Sequence, residues 1–479
     1  MSAGYASESV NGRAVQHGLP ESLRQPGPFR LLLWGQAFSV IGDRITPVAI
    51  AFAVLGLGSA TDLGVVMAAG GVPFLLFALA GGVWADRVGR RRIMLGSDIV
   101  RAISQAVTAA LLLTGSAEVW SLAVLAFVYG TAAAVFMPAM VGLIPQTVGA
   151  ARLQEANALL SLTRSVANVA GPALAGIIIA TAGTGEAIVV DAGTFAVSAL
   201  CLARLRLRPV AEDRGAAEHE PFLAGLRAGW QEVRSRGWLS VGLIAMSAYH
   251  VFVLPAVFVL GPTLASRELN GASSWATIVA CFGVGSIIGN VLAMRLPLPR
   301  PALMSAVALI GASTQALIIG SGLGTAGIAA LELLAGICVA LFFTLWDLSI
   351  QEQIPPRSVS RVSAYDFSVS VGLMPLGLAV CGPIADAIGL HATLRWMSAI
   401  GIAAAVLWAL QPSVRKLRRP QPAPAVTVLE PTPAPSPAPA PAPVAVAEPL
   451  EQPAARSWIA WLLAAGLAAA LLGSRRRPG

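Results

Sequence analysis

Apolar runs of about 20 residues recur along this chain between short polar turns, and they constrain its fold more than any other feature. A run of that length crosses about 30 Å of hydrocarbon as an α-helix. A soluble domain carries about 25% charged residues, whereas this chain has 12% charged and 56% hydrophobic residues. The pattern therefore predicts an all-α protein whose solvent is mostly lipid.

The runs form two sets of six. The first six predicted helices span residues 30–57, 62–85, 93–114, 118–143, 156–181 and 186–205. The second six span residues 238–264, 273–295, 301–320, 324–350, 362–388 and 391–411. Residues 206–236 between the sets are charged and predict a cytoplasmic central loop, with a short amphipathic helix from Phe222 to Val233. Residues 1–29 are polar and predict a flexible cytoplasmic tail without the apolar core of a signal peptide.

Basic residues occupy alternate loops. The basic loops hold Arg87 with Arg90, Arg91 and Arg92, then Arg152, then Arg204 with Arg206 and Arg208, then Arg295 with Arg300, then Arg357 with Arg361, and then Arg415 with Lys416. The intervening loops have no basic residue before His391, and Arg267 departs from the alternation. Because short arginine-rich loops stay in the cytoplasm, we expect a multi-pass protein of the cell membrane with a cytoplasmic N-terminus. This topology, and not nucleic-acid binding, accounts for the net charge of +8.

The stretch Gly82–Arg92 places four arginines and an aspartate in a short hairpin between two apolar runs. Asp86 opens the turn, Gly89 allows it to be tight, and the arginines suit lipid phosphates or the C-terminal ends of neighbouring helices. The pattern G-x-x-x-D-R-x-G-R-R-R resembles the loop 2–3 signature of the major facilitator superfamily at every defining position. From that resemblance we expect conformational control by Gly82, Asp86, Arg87, Gly89, Arg90 and Arg91.

The resemblance covers about residues 30–411 and implies the major facilitator fold. In that fold two six-helix bundles, here residues 30–205 and 237–411, enclose a central cavity that opens to each side in turn by rocking. A faint internal repeat agrees, since Ile144-Pro145 and Gly171-Pro172 of the first half are echoed by Ile354-Pro355 and Gly382-Pro383 of the second. Gly171 and Pro172 also resemble the helix 5 motif of antiporters, with Ala175 where a glycine is usual. We add both to the gating candidates.

Charge inside a bilayer is costly and therefore points to function. Asp43 lies about 13 residues into the first predicted helix, and its Gly42-Asp43 pair resembles one in drug- and siderophore-exporting members of the superfamily, the enterobactin exporter and macrolide efflux proteins among them. Asp43 is the first candidate for proton coupling. Glu332, an isolated acid between Leu331 and Leu333, is the second.

Other polar residues within apolar runs are candidates for the cavity or its gates. Arg44, Tyr249, His250 and Gln315 are the predicted substrate-cavity residues. Asp98 and Arg101 lie one helical turn apart, which predicts an ion pair. Arg164 and Asp366 lie just inside the membrane on helices 5 and 11, and we expect them to approach each other as an inner gate.

The C-terminal region departs from twelve helices. Residues 412–456 are rich in proline and alanine and predict an extended, semi-rigid linker. Residues 457–479 are apolar and end in Arg475–Arg477, so they predict an additional membrane helix, an interfacial anchor or a sorting tail. The arm is also a candidate for binding an unknown protein partner.

Signals of enzymatic or cofactor chemistry are missing from the sequence. It contains no phosphate-binding P-loop, its histidines are scattered, and its four cysteines lie in apolar stretches as packed residues. We therefore expect no enzyme, cofactor or metal, but a secondary transporter that exports a small hydrophobic or amphipathic compound, such as a drug, siderophore or secondary metabolite, by proton antiport. An importer or uncoupled facilitator of the same fold is an alternative. A membrane anchor or sensor that acts through the C-terminal arm is another.

Overall fold

The structure is a computed structural model that describes residues 27–148, 152–207, 230–295, 299–370 and 372–419. The regular structure of these residues is helical throughout. Four predicted segments lie wholly or mostly outside the described residues. They are residues 1–26 of the N-terminal tail, most of the central loop with residues 222–229, the remainder of the linker from residue 420 and the apolar segment 457–479.

The first half contains six helices, each at a predicted apolar run. They are α1 (Pro28–Leu57), α2 (Ala60–Val88), α3 (Arg90–Leu113), α4 (Val119–Thr147), α5 (Leu153–Thr181) and α6 (Thr184–Arg204). Helix α1 begins two residues earlier than predicted because Pro28 is at the first helical position, where its missing N–H costs nothing.

The second half also contains six membrane helices, followed by a short one. They are α7 (Gly237–Glu268), α8 (Gly271–Arg295), α9 (Pro301–Ala312 with Gln315–Ile319), α10 (Thr325–Gln353), α11 (Pro356–Ser370 with Met374–Ile388), α12 (Leu390–Leu410) and α13 (Pro412–Lys416). Twelve of the described helical segments are long and apolar enough to cross a membrane, which confirms the predicted number.

The predicted linker starts too early. Residues 412–416 form α13 instead of extended chain, because Pro412 suits a helix start and Val414 is fully buried against the second half. The residues rich in proline and alanine, from which the linker was predicted, begin only after α13.

Helix α7 is irregular near its middle. Two π-helical stretches, Tyr249–Val253 and Ala256–Leu260, flank Pro255. Proline lacks the N–H that would continue the α-helical pattern, and π-helical turns occur often at functional sites. Tyr249 and His250, two of the predicted cavity residues, lie in the first of these stretches.

Three hydrophobic clusters show how the halves are joined. One cluster draws on both halves and includes Ile45, Leu63, Leu260, Trp275 and Leu378. A second cluster, with Phe29 and Leu143, lies wholly in the first half. A third, with Trp238 and Trp408, lies wholly in the second half. The halves therefore share a core at one end of the bundle and keep separate cores at the other.

Contacts between the halves run between α2 and α11 and between α5 and α8. Small residues allow these helices to approach closely. A Cβ at Gly64 would meet the carbonyl of Leu378, one at Gly382 would meet the backbone of Thr61, and one at Gly176 would meet Ala276. The Thr61 hydroxyl also donates to Asp386 across 2.8 Å. We call the α2–α11 contact around Gly64, Leu378 and Gly382 the seal.

The opposite end of the bundle is arranged differently. There Pro356–Ser370, the first part of α11, packs on α7 and α10 of its own half. The separate hydrophobic clusters lie at this end, as do the arginine-rich turns. The contact between the halves is therefore made at the shared core, and the two halves have separate cores at the arginine-rich end.

Candidate functional site

Arg101 on α3 is the centre of a buried polar group in the first half. Its side chain is 3% exposed, it forms an ion pair with Asp98, and its Nη1 lies 3.7 Å from Oδ1 of Asp43 on α1. Its guanidinium carbon lies 4.3 Å from the ring centroids of both Phe136 and Phe195, within cation–π range. The predicted Asp98–Arg101 pair is confirmed, and Asp43 extends it to a second helix.

Asp43 differs from the other acids of this group in its exposure. Its side chain is 33% exposed, whereas Asp98 is fully buried. The hydroxyl of Tyr129 on α4 donates a hydrogen bond to Asp43, and the Ser198 hydroxyl donates to Asp98 across 2.6 Å. Asp43 is therefore held in place by its partners while part of its carboxyl remains accessible.

A third acid, Asp191 on α6, was missed by the sequence analysis. It is fully buried and accepts hydrogen bonds of 2.5 Å from both Thr46 and Gln105. Gly42 makes room for it, because a Cβ there would overlap the carboxyl of Asp191 and the hydroxyl of Thr194. Its sequence signal is an isolated acid between Val190 and Ala192 in an apolar run, the same signal that identified Glu332.

We call these residues the amino-half cluster; its members are Asp43, Thr46, Asp98, Arg101, Gln105, Tyr129, Asp191, Thr194 and Ser198. Among the described residues it joins three carboxyl groups to one guanidinium. If all three acids were ionised, two negative charges would lack a cation in a poorly hydrated interior, and burying an unpaired charge is costly. The arrangement therefore suits acids that bind and release protons.

Glu332 on α10 is the centre of a second cluster. It is 2% exposed, and its Oε2 accepts a hydrogen bond of 3.1 Å from Gln315 on α9. The Tyr249 hydroxyl on α7 donates to Gln315 Oε1 across 2.7 Å. The other carboxyl oxygen, Oε1, is buried without a partner among the described residues. Three separately predicted residues thus form one chain of hydrogen bonds.

His250 completes this carboxy-half cluster, which consists of Tyr249, His250, Gln315 and Glu332. It is 5% exposed, its Nδ1 lies 2.9 Å from the Met246 carbonyl, and its ring packs edge-on to Tyr249 at 5.7 Å between centroids. The histidine therefore contacts the cluster through ring packing. The π-helical stretch of α7 carries both Tyr249 and His250.

Arg44, the remaining cavity candidate, lies apart from this cluster. Its side chain is exposed, and its Cβ lies against Gly171 on α5. Within the described ranges Arg44 is a partner in no ion pair. Gly171 and Pro172 are buried, and the absence of a side chain at Gly171 lets α5 approach α1 at this point.

The turn between α2 and α3 has the predicted geometry. Gly89 has a φ of 99°, a conformation that favours glycine. Arg90 donates to the Gly142 carbonyl on α4 across 2.6 Å, and Arg91 donates to the carbonyls of Leu202 and Ala203 near the end of α6. Arg91 thus binds a helix C-terminus, one of the two kinds of partner expected for these arginines. The side chains at Gly82, Asp86 and Arg87 lie outside the described residues, so their roles stay predictions.

Arg164 and Asp366 do not meet in this structure, and their assignment to an inner gate stays a prediction. Arg164 is exposed on α5, which packs on α8, whereas Asp366 accepts a hydrogen bond of 3.2 Å from Trp346 in its own half. The first part of α11, which carries Asp366, packs on α7 and α10. The two residues therefore belong to different helix–helix contacts, and no ion pair joins them in the described part of the chain.

A metal site is not evident in the part of the chain that the structure describes, where no group of three or more His, Cys, Asp or Glu side chains is placed to hold a metal ion. Its four cysteines carry free thiols. The chemistry of the two clusters is therefore that of carboxyl groups and their hydrogen-bond donors.

Known proteins resemble this chain over most of its length. The family described as transmembrane secretion effector matches residues 22–446. The multidrug efflux pump Tap of Mycolicibacterium fortuitum is 28% identical over 410 residues, which cover 82% of this chain and 97% of that protein. Macrolide efflux protein A of Streptococcus pyogenes is 24% identical over 391 residues, which cover 80% and 96% of the two chains. Among solved structures, a variant of the nucleoside transporter NupG superposes with a TM-score of 0.63 at 14% identity, covering 80% of this chain and 99% of that one.

Proposed function

Because this chain belongs to the transmembrane secretion effector family of the major facilitator superfamily, we propose that it exports small hydrophobic or amphipathic molecules by proton antiport. The family consists of membrane transporters and not of enzymes. Two relatives bear names that describe drug efflux, one a multidrug pump and the other a macrolide efflux protein, and this supports the direction and the chemical class of the cargo.

The observation that carries the coupling proposal is the charge imbalance of the amino-half cluster. Three carboxyl groups gather around one guanidinium, and one of them, Asp43, is 33% exposed. An acid that exchanges protons with water must meet two conditions. Its ionised form must be unfavourable enough at its site that the acid binds a proton, and its carboxyl must be accessible to water. Asp43 combines the two, and Glu332 is the buried acid of the second half that is also assigned to proton coupling.

The proposed cycle uses alternating access. With the seal closed, the cavity takes cargo from the cytoplasmic side; rocking of the halves then breaks the seal and opens the cavity outward. Protonation of Asp43 and Glu332 from the outside releases the cargo, and release of the protons inside resets the cycle. This orientation places the N-terminus and the arginine-rich turns in the cytoplasm, beside anionic lipid headgroups.

Cargo contacts are proposed to be mostly apolar with few polar anchors, as in other sites for small molecules. Arg44 is exposed in this conformation and is available as an anchor. Tyr249, His250 and Gln315 are buried, so they become anchors only when α7 moves at its π-helical stretches.

The turn between α2 and α3 is proposed to control the rocking. Arg90 and Arg91 tie α3 to α4 and α6 through backbone carbonyls, and Asp86 and Arg87 are assigned to the same task. Replacement of Asp86 by asparagine should slow turnover and leave cargo affinity nearly unchanged. A large loss of affinity in a binding assay would contradict this assignment.

Transport by purified full-length protein in proteoliposomes tests the proposed function. Ethidium and radiolabelled erythromycin are the probes, and an imposed pH gradient is the driving force. We expect probe accumulation with counterflow of protons, and loss of accumulation when the gradient is collapsed. Probe uptake that continues after the collapse, up to equal concentrations on the two sides, would contradict antiport and indicate facilitated transport.

Removal of residues 421–479 tests the role proposed for the C-terminal arm as a membrane-associated segment that binds a protein partner. The truncated protein should still transport ethidium in proteoliposomes, since residues 27–419 contain both clusters and the seal. Loss of transport at normal abundance in the membrane would favour the alternative in which the arm carries the function.

A further inference from the structure

We infer that Asp191 holds the transported proton in the first half, with Asp43 as its point of exchange with the cavity. The inference rests on the proposed antiport, and it assigns a role to an acid that sequence patterns did not single out. Asp191 is buried on α6 and has partners on α1 and α3.

One carboxyl oxygen of Asp191 is arranged for the ionised form. Oδ2 accepts from the Thr46 hydroxyl and from the Gln105 amide, both at 2.5 Å. The same amide also donates to the Thr46 hydroxyl oxygen across 2.9 Å, so the three groups form a closed triangle. Two neutral donors on one oxygen stabilise a carboxylate without the need for a cation.

The other oxygen of Asp191 is arranged for the protonated form. The Thr194 hydroxyl can donate its one hydrogen to the Asp191 backbone carbonyl, across 2.7 Å, or to Oδ1, across 3.3 Å, and the carbonyl is the nearer acceptor. A hydroxyl has one hydrogen and two lone pairs, so its lone pairs are available to an O–H on Oδ1. Both protonation states thus find partners, and the space that Gly42 leaves keeps Oδ1 free of a side chain.

The charged neighbours of Asp191 direct the proton to it. Asp43 faces it from α1, Arg101 from α3 and Tyr129 from α4, and Asp98 on α3 binds Arg101. Helix α5 also packs on α6; its charged side chains are Glu155 in the first turn and the exposed Arg164. Arg101 is therefore the cation of this group, and it is already bound to Asp98 and Asp43.

Arg101 also has one N–H group that donates to no acceptor among the described residues. Its Nε–H is buried without a partner among the described residues. When Asp43 is ionised, this N–H is available to its carboxylate, which strengthens their pairing and leaves Asp191 as the acid without a cation. The transfer is then a proton step alone: the O–H bond at Asp43 breaks, an O–H bond at Asp191 forms, and the negative charge moves to Asp43.

Infrared difference spectroscopy between acidic and alkaline pH tests this assignment on the full chain in lipid nanodiscs, without any cargo. All proteins compared carry Glu332→Gln, which removes the band of the second buried acid. In that background we expect a titrating carboxylic C=O band that disappears in Asp191→Asn and persists in Asp98→Asn. The matched control is Glu118→Gln, whose carboxyl caps the exposed start of α4 and should leave the band unchanged. A titrating band that is unchanged by Asp191→Asn in the Glu332→Gln background would overturn the inference.

Two further variants test the assignment if Asp191→Asn fails to fold, because each removes one hydroxyl that contacts the Asp191 carboxyl. Thr46→Val removes a donor to the carboxylate and should move the titration of the band to higher pH. Thr194→Val removes the acceptor for the acid and should move it to lower pH, each by about half to one pH unit, the effect of one neutral hydrogen bond. Shifts in the same direction, or none, would contradict the inference. Intact titration together with gradient-independent ethidium transport would instead refute the antiport.

Discussion

Asp43 on α1 lies 3.7 Å from Arg101 on α3, and this ion pair joins a partly exposed acid to an almost fully buried guanidinium. Arg101 keeps its closer partner Asp98 whether or not Asp43 is ionised, since the two lie one helical turn apart on α3. The two aspartates therefore differ in what their loss should do. Removal of Asp43 should affect coupling, and removal of Asp98 should affect folding.

Asp43→Asn should leave a folded protein that no longer couples transport to protons. Asparagine keeps the size of the side chain and an acceptor for Tyr129, and Asp98 still neutralises Arg101. We expect gradient-driven ethidium uptake in proteoliposomes to fall at least about tenfold, equivalent to about 1.4 kcal/mol. The control Glu118→Gln should transport normally. Full gradient-driven activity of Asp43→Asn would refute its place in the coupling.

Asp98→Asn should destabilise the protein. Asp98 is fully buried against Arg101, and breaking a buried pair by removing one partner costs about 3–5 kcal/mol. Asp43 already pairs with Arg101, but its contact is longer, at 3.7 Å, and its side chain is partly exposed, so it does not replace the lost partner fully. Thermal unfolding in detergent should therefore show a much larger decrease in Tm for Asp98→Asn than for Asp43→Asn. Equal decreases would contradict the distinction.

Glu332→Gln and Glu332→Ala should have different effects on stability. Glutamine keeps an acceptor for the Gln315 amide and removes a buried carboxyl whose Oε1 lacks a partner in the described part of the chain, so Tm should be unchanged or raised. Alanine leaves the Gln315 amide unpaired and a void beside it, at a cost of about 1–3 kcal/mol or more. If glutamine destabilises as much as alanine does, Glu332 has a cationic partner in the protein.

Gly64→Ala should weaken the seal, whereas Gly70→Ala on the same helix should not. A Cβ at Gly64 would overlap the Leu378 carbonyl across the interface of the halves, but a Cβ at Gly70 would be 3.6 Å from its nearest neighbour, an ordinary contact. The native Cys381 is a reporter, because it is buried and its thiol donates to that same carbonyl at 3.3 Å.

With Cys201, Cys281 and Cys338 replaced by serine, a membrane-impermeant maleimide should label Cys381 several times faster in Gly64→Ala than in the parent protein. Gly70→Ala should match the parent. Equal labelling of all three proteins would show that the α2–α11 contact does not limit access to Cys381.

Sequence patterns predicted the helices well because each one must cross the same thickness of hydrocarbon. All twelve apolar runs became helices, and the glycine of the arginine-rich turn has the φ expected of it. What the patterns could not supply was the pairing of helices. Arg164 and Asp366 were expected to meet, but the halves associate through α2 with α11 and through α5 with α8.

Single polar residues were predictable, and their grouping was not. Tyr249, Gln315 and Glu332 each stood out in an apolar run, yet only packing joins them into one hydrogen-bonded chain. Gln105 and Gln315 lie at nearly the same depth in the third helix of their halves, and each donates to a buried acid. Such a correspondence supports the faint internal repeat, but it appears only when the partners of each glutamine are known.

The two halves share a hydrophobic core at one end and have separate cores at the other, so the molecule occupies different areas in the two leaflets of the bilayer. In the proposed cycle, a change from the inward-open to the outward-open state makes the cross-section of the protein smaller in one leaflet and larger in the other. The free energy of switching therefore includes work against the lateral pressure of the lipids, whose headgroup size and curvature preference differ between leaflets. Lipid composition should accordingly tune the transport rate without contact with either cluster.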